Sequence, residues 1–146
     1  MPLSKILLLQ AGLVSALLLA ATAQAGTLEI QLGNLRPGGA VRVSVFGDAN
    51  SWAHDGKPVA ARAFIARDFT CSLHIDGLPA GRYAVRAQQD GADRPGDIGS
   101  LALAVSRHGS SGGNNAHAAP SFNDAAVEVR DEDPRITLHL FADSNY

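Results

Sequence analysis

The sequence predicts an all-β fold, an antiparallel β-sandwich, and three observations carry that expectation. Residues 69–88 read as two alternating segments joined by a bend. In the first, Phe69, Cys71, Leu73 and Ile75 fall on one side and Thr70, Ser72, His74 and Asp76 on the other; in the second, Tyr83, Val85 and Ala87 alternate with Arg82, Arg86 and Gln88. Successive strand side chains point to opposite faces, so each segment is a half-buried antiparallel strand. The same period of two recurs along the chain, punctuated by Gly and Pro. No stretch shows a convincing stripe at helical spacing. Together these give a single sandwich of the immunoglobulin-like or transthyretin-like kind with roughly seven to eight strands.

The elements follow in order. Residues 1–25 read as a cleaved signal peptide: Lys5 supplies a positive start, an apolar run follows, and Ala23-Gln24-Ala25 has the small-x-small form of a cleavage site. The apolar run is shorter than the ~20 residues of a membrane span. No cysteine follows that run, which argues against a lipid-modified N-terminus. Residues 26–146 then form one β-sandwich domain, periplasmic or secreted, with no membrane span after cleavage. Loss of Lys5 moves the formal charge from −2 to about −3 on the same count. Lys and Arg are scattered rather than striped, which argues against nucleic acid as a partner.

Leu28, Ile30 and Leu32 alternate with Thr27, Glu29 and Gln31 in the first strand, and Val41, Val43 and Val45 mark the second. Residues 59–66 are Ala-rich and read as a strand or a one-turn helix. The 69–76 and 82–88 strands come next. Leu101, Leu103 and Val105, then Val127 and Val129, and finally Ile136, Leu138 and Leu140 complete the set. Turns fall at residues 36–39, 55–58, 77–81 and 131–134, where Gly and Pro free or fix φ. Two segments break the rhythm: the acidic, Gly-rich 89–99, and 107–121, read as a long loop. Long loops in small domains are where function concentrates.

The Gly-Leu-Pro-Ala-Gly-Arg-Tyr-Ala-Val turn from Gly77 to Val85, the acidic loop from Asp90, the Asn114-Asn115 loop and the Pro120-Ser121-Phe122-Asn123-Asp124-Ala125 segment occur in an order that resembles a bacterial exported family, domain of unknown function 2141. The resemblance spans the presumed mature chain. It implies a small antiparallel sandwich with no established activity. The family's acidic loop resembles His-Asp-Glu-Asn-x-Asn-Gly-x-Leu-Asp, a string of oxygen ligands. Here Gln89 stands at the His position, only Asp90, Asp93 and Asp97 remain, and Ile98-Gly99-Ser100-Leu101 replaces a Gly-x-Pro-x-Glu element. An ion-binding role implied by the family is weakened accordingly.

Asp90, Asp93 and Asp97 are nevertheless the candidate Ca²⁺ set, because closely spaced loop carboxylates can wrap a cation that takes about six to eight oxygens. Arg94 lies among them as an alternative counter-charge, and a solvated acidic turn is the favoured reading. Gly109-Ser110-Ser111-Gly112-Gly113 matches G-x-S-x-G with His108 beside it, but lacks the following helix that a serine hydrolase needs. The five histidines, His54, His74, His108, His117 and His139, are scattered and read as exposed rather than as zinc ligands. A shared ion between His108 and His117, with Asp124, is the weaker reading. Trp52 is either a binding platform or, as favoured, a cap on one end of the sandwich. Cys71, the sole cysteine, reads as an inert core thiol rather than a catalytic or intermolecular one.

The expected function is an exported, non-enzymatic binding or structural accessory module without a cofactor. Its unidentified protein or carbohydrate ligand would meet Trp52, His108, Asn114, Asn115 and His117, or add to an edge strand. The alternatives are a calcium-stabilised surface module through the Asp90–Asp97 loop, and a serine hydrolase at Ser111.

Overall fold

A computed structural model describes residues 25–90, 107–112, 120–131 and 133–142. Residues 1–24 of the expected signal peptide (1–25) and the strand expected at 101–105 lie outside the described residues. The elements are β1 (Gly26–Gly33), β2 (Ala40–Phe46), α1 (Ala49–Ala53), β3 (Ala60–Ile65), β4 (Cys71–Leu78), β5 (Gly81–Gln89), β6 (Arg107–Ser110), α2 (Phe122–Ala125), β7 (Val127–Val129), β8 (Arg135–His139) and β9 (Phe141–Ala142). They form two sheets, one ordered β4-β1-β8 and the other β3-β2-β5-β6-β9, with β7 paired to the first residues of β5. The all-β sandwich is the observed fold.

The core lies between the sheets. Alternate residues of β1 (Leu28, Ile30 and Leu32) meet Val41, Val43 and Val45 of β2, Val85 and Ala87 of β5, and Leu138 of β8. Each is at most 2 % exposed. Burial of this kind contributes about 1.5–3 kcal/mol per large aliphatic side chain.

Four features of the strand pairing depart from the sequence expectation or decide what it left open. First, β1 pairs antiparallel with β4 but parallel with β8, in the register Ile30↔Ile136 and Leu32↔Leu138. A parallel neighbour needs a long crossover, and all of the chain between β1 and β8 provides it. Second, β4 and β5 do not pair with each other. They lie in different sheets, so the bend between them is an arch across the sandwich. Gly77 opens it with φ +72, in the left-handed region that favours glycine. The Tyr83 hydroxyl then donates to Pro79 O at 2.6 Å, a tyrosine-corner contact that holds the arch shut.

Third, residues 60–65 resolve to a strand at the edge of the larger sheet, in register with β2 from Ala40↔Ile65 to Val45↔Ala60. Fourth, Arg107–Ser110 is a strand rather than the start of a loop, paired with β5 from Arg86↔Ser110 to Gln89↔Arg107. Phe69 also differs from its expected inward position. β4 begins two residues later, and Phe69 is 64 % exposed.

Candidate functional site

Register defines two opposite ends of the larger sheet. Phe46 lies opposite Ala84 at one end, and Val41 opposite Gln89 at the other.

The Phe46 end is sealed. Asp48 caps α1 by accepting from Ser51 N at 2.8 Å, which holds its carboxyl below the usual range. The helix turns Trp52 inward, 3 % exposed, onto Phe46 at a T-shaped 5.7 Å. The indole N–H donates to Pro120 O at 2.8 Å. The Arg86 guanidinium stacks 4.3 Å from the Trp52 ring, donates to Trp52 O, and pairs with Asp55. Ser121 caps α2 by accepting from Asp124 N, and its hydroxyl donates to the Asp124 carboxylate. Ala125 and Phe122 then pack under Phe46 and Trp52. The Pro120-to-Ala125 segment is thus a structural latch. Trp52 caps the sandwich and presents no free ring face to a ligand.

Ser111 completes that seal. It lies one residue past β6 and is 3 % exposed. Its N–H donates to Val85 O at 2.9 Å, and its Oγ accepts from Val85 N at 2.8 Å, so it extends the ladder by one rung. Gly112 then turns away at φ +81, where a Cβ would lie 2.3 Å from Asp124 O. The hydroxyl expected of a nucleophile is committed to backbone. His108 sits within β6, opposite Gln88 and Phe141.

Among the described residues, the other end is open. The β1–β2 crossover and the β3–β4 crossover run side by side there. They are tied by Leu35 N to Phe69 O (2.9 Å), Gly38 N to Ala66 O (2.8 Å) and Ala66 N to Gly39 O (3.0 Å). Gln89, 1 % exposed, clamps the first of them: its amide donates to Arg36 O at 2.7 Å and its carbonyl accepts from Arg36 N at 2.8 Å. Both donor and acceptor are satisfied, which a buried amide needs. Asn34 adopts φ +58, and its carbonyl accepts from Arg107 Nη1 at 2.9 Å.

Asn34, Leu35, Arg36, Phe69 and Arg107 line an open cleft of ≈500 Å³ between the two sheets. Arg107 enters it from the start of β6. Its Nε is buried without a hydrogen-bond partner. Desolvation, and then the neighbouring Arg36 charge, lower the Arg107 pKa from its ordinary value. Among the described residues, neither guanidinium is in an ion pair with a carboxylate.

The predicted site residues divide between these ends or fall outside them. Of the calcium set, Asp90 is described: it is exposed and lines a separate ≈330 Å³ cleft with Arg42 and Phe64. Asp93, Asp97 and Arg94 lie outside the described residues, as do Asn114, Asn115 and His117. Among the described residues, no three metal-capable side chains converge. His54, His74 and His139 are exposed on separate elements. Cys71 is half-buried, and burial raises its thiol pKa. Sequence reading missed Arg36, Arg107 and Gln89 as parts of a site. No local motif marks them, because the crossovers bring them together.

No curated protein and no solved structure matches the chain. A family model does match, over residues 24–137. Both motifs that carry the resemblance have a physical role: the Leu-Pro-x-Gly-x-Tyr turn is the tyrosine-cornered arch, and the Pro120-to-Ala125 segment is the latch over Trp52. The chain belongs to the family described as uncharacterized protein conserved in bacteria (DUF2141).

Proposed function

We infer that the protein is an exported, non-enzymatic binding module that meets its ligand at the open end of the sandwich. The observation that carries this reading is a contrast of partners. A 64 % exposed Phe69 and two guanidiniums that are in no carboxylate ion pair among the described residues share one cleft, while the opposite end is closed by packed rings and satisfied hydrogen bonds. Concave sites with an aromatic surface and a few charged groups are where ligands bind. Commitment of the Ser111 hydroxyl to Val85 supports a non-catalytic reading over the hydrolase. Export is supported by the basic start, apolar run and small-x-small site of the N-terminal segment. The family match beginning at residue 24 is in keeping with it.

A photo-crosslinking residue in place of Phe69, with a second in place of exposed His54 as control, tests this in the producing cell. The expected result is a discrete adduct at position 69 and none at 54. Equal labelling at both positions, or none at either, overturns the reading.

A further inference from the structure

The chemistry of the open end defines a ligand class. We propose that the cleft lined by Asn34, Leu35, Arg36, Phe69 and Arg107 is an anion site for a small organic acid, whose carboxylate or phosphate is held by Arg36 and Arg107 and whose apolar body rests on Phe69. This rests on the reading that the open end is the ligand-binding end.

Three observations converge on it. The fold brings two cations to one ≈500 Å³ cleft, and neither is in an ion pair with a carboxylate among the described residues. Like charges held together disfavour their own charged forms, and an anion relieves that repulsion. Arg107 is fixed by its own hydrogen bond to Asn34 O and by its place at the start of β6, so little ordering remains to be done on binding. Among the described residues its buried Nε has no partner, so the guanidinium's hydrogen-bonding capacity is not used up by the protein itself. Guanidinium groups suit carboxylate and phosphate oxygens because their donors form a planar fork.

Phe69 sets the second half of the ligand. Its backbone carbonyl accepts from Leu35 N and its amide donates to the Asp68 carboxylate, so the main chain that carries the exposed ring is fixed at the cleft wall. An exposed, anchored ring gives a large contact area at small entropic cost. A bare inorganic anion would use only half of this site.

Isothermal titration of the protein provides the test. Benzoate and phenyl phosphate serve as ring-bearing probes, acetate and inorganic phosphate as anions alone, and sodium chloride at matched ionic strength as the screen. Saturable binding of benzoate or phenyl phosphate, tighter than acetate or phosphate, is expected, and the stronger of the two arms identifies the acid group. Arg36→Gln and Arg107→Met should each weaken that binding by roughly tenfold or more. Phe69→Ala should weaken the ring-bearing probes towards their bare counterparts. Arg36 is exposed, so Arg36→Gln keeps the proposal testable if Arg107→Met fails to fold. Binding unchanged in a folded Arg36→Gln variant, or no saturable response beyond chloride, overturns the anion site. An adduct at position 69 alongside such a failure leaves the binding reading standing without it.

Discussion

The two ends of this sandwich are built from the same materials and finished differently. Each has an arginine against an aromatic ring or beside one. At the sealed end, Arg86 stacks on Trp52, donates to its carbonyl and pairs with Asp55. At the open end, among the described residues, Arg107 keeps a buried Nε without a partner and feels the charge of a second arginine, Arg36. A fold seeking stability alone would finish both ends alike. The difference separates residues that hold the sandwich from residues that cost it stability.

That comparison can be broken experimentally, and the largest effect belongs to the sealed end. Trp52→Ala should destabilise by about 3–5 kcal/mol, read as a lower denaturation midpoint, because it opens a cavity and strands Arg86. A loss below 1 kcal/mol would mean that the latch is ornamental. Ser111→Ala comes next, at about 1–3 kcal/mol, since it leaves the buried Val85 N–H without an acceptor. The same variant checks the hydrolase alternative, as a catalytic serine would lose activity without losing midpoint.

The open end should respond with the opposite sign. In ligand-free protein, Arg107→Met should raise stability by about 1 kcal/mol, because removing a buried unpaired donor and a repulsion outweighs the lost bond to Asn34 O. A fall in midpoint would show that Arg107 is structural.

The smallest effect is electrostatic. Glu29 of β1 pairs with Arg135 of β8 at 2.9 Å, and that contact holds its pKa below the ordinary value. The native carboxylate therefore binds fewer protons than the unfolded one. Its contribution is present above the unfolded pKa and fades as pH falls through the lower folded value. Glu29→Gln should lower stability slightly at neutral pH, with the difference from the parent vanishing as pH falls below the folded pKa of Glu29, so that the acid side of the profile is flatter. A profile identical to the parent would assign that pair no part in stability.

What the sequence disclosed and what it concealed have physical causes. Strands with one face in the core are written as alternation, so β1, β2 and β5 are legible in Leu28-Ile30-Leu32, Val41-Val43-Val45 and Tyr83-Val85-Ala87. β6 is not, because its core-facing residues are an arginine and a glycine. A Cβ on Gly109 would lie 2.7 Å from His139 O, so close approach rather than hydrophobicity chose that residue. Phe69 continues the alternation of β4 in sequence, but the strand begins after it and the ring stays outside. Sheet membership is equally hidden, since nothing in the Gly77-to-Gly81 bend distinguishes an arch from a hairpin. The open-end cleft draws on three separate segments whose meeting depends on those crossovers. The sealed end is nearer to legible in one residue, the lone Trp52 after a strand, read as a cap; the short helix at Phe122–Ala125 is not foreseen.

The parallel pairing of β1 with β8 bears on how the chain reaches its final form. The strand made first is the middle strand of its sheet, and its second neighbour is made almost last; Thr27 and Asp133, hydrogen-bonded across that seam, are 106 residues apart. Contacts so distant along the chain slow folding, because much of the chain must be confined before they can form. A nascent chain lacking β8 has one flank of β1 unpaired and Leu138 missing from the core. Such a chain has reason to stay open until β8 is made, so the sandwich closes late in synthesis rather than strand by strand.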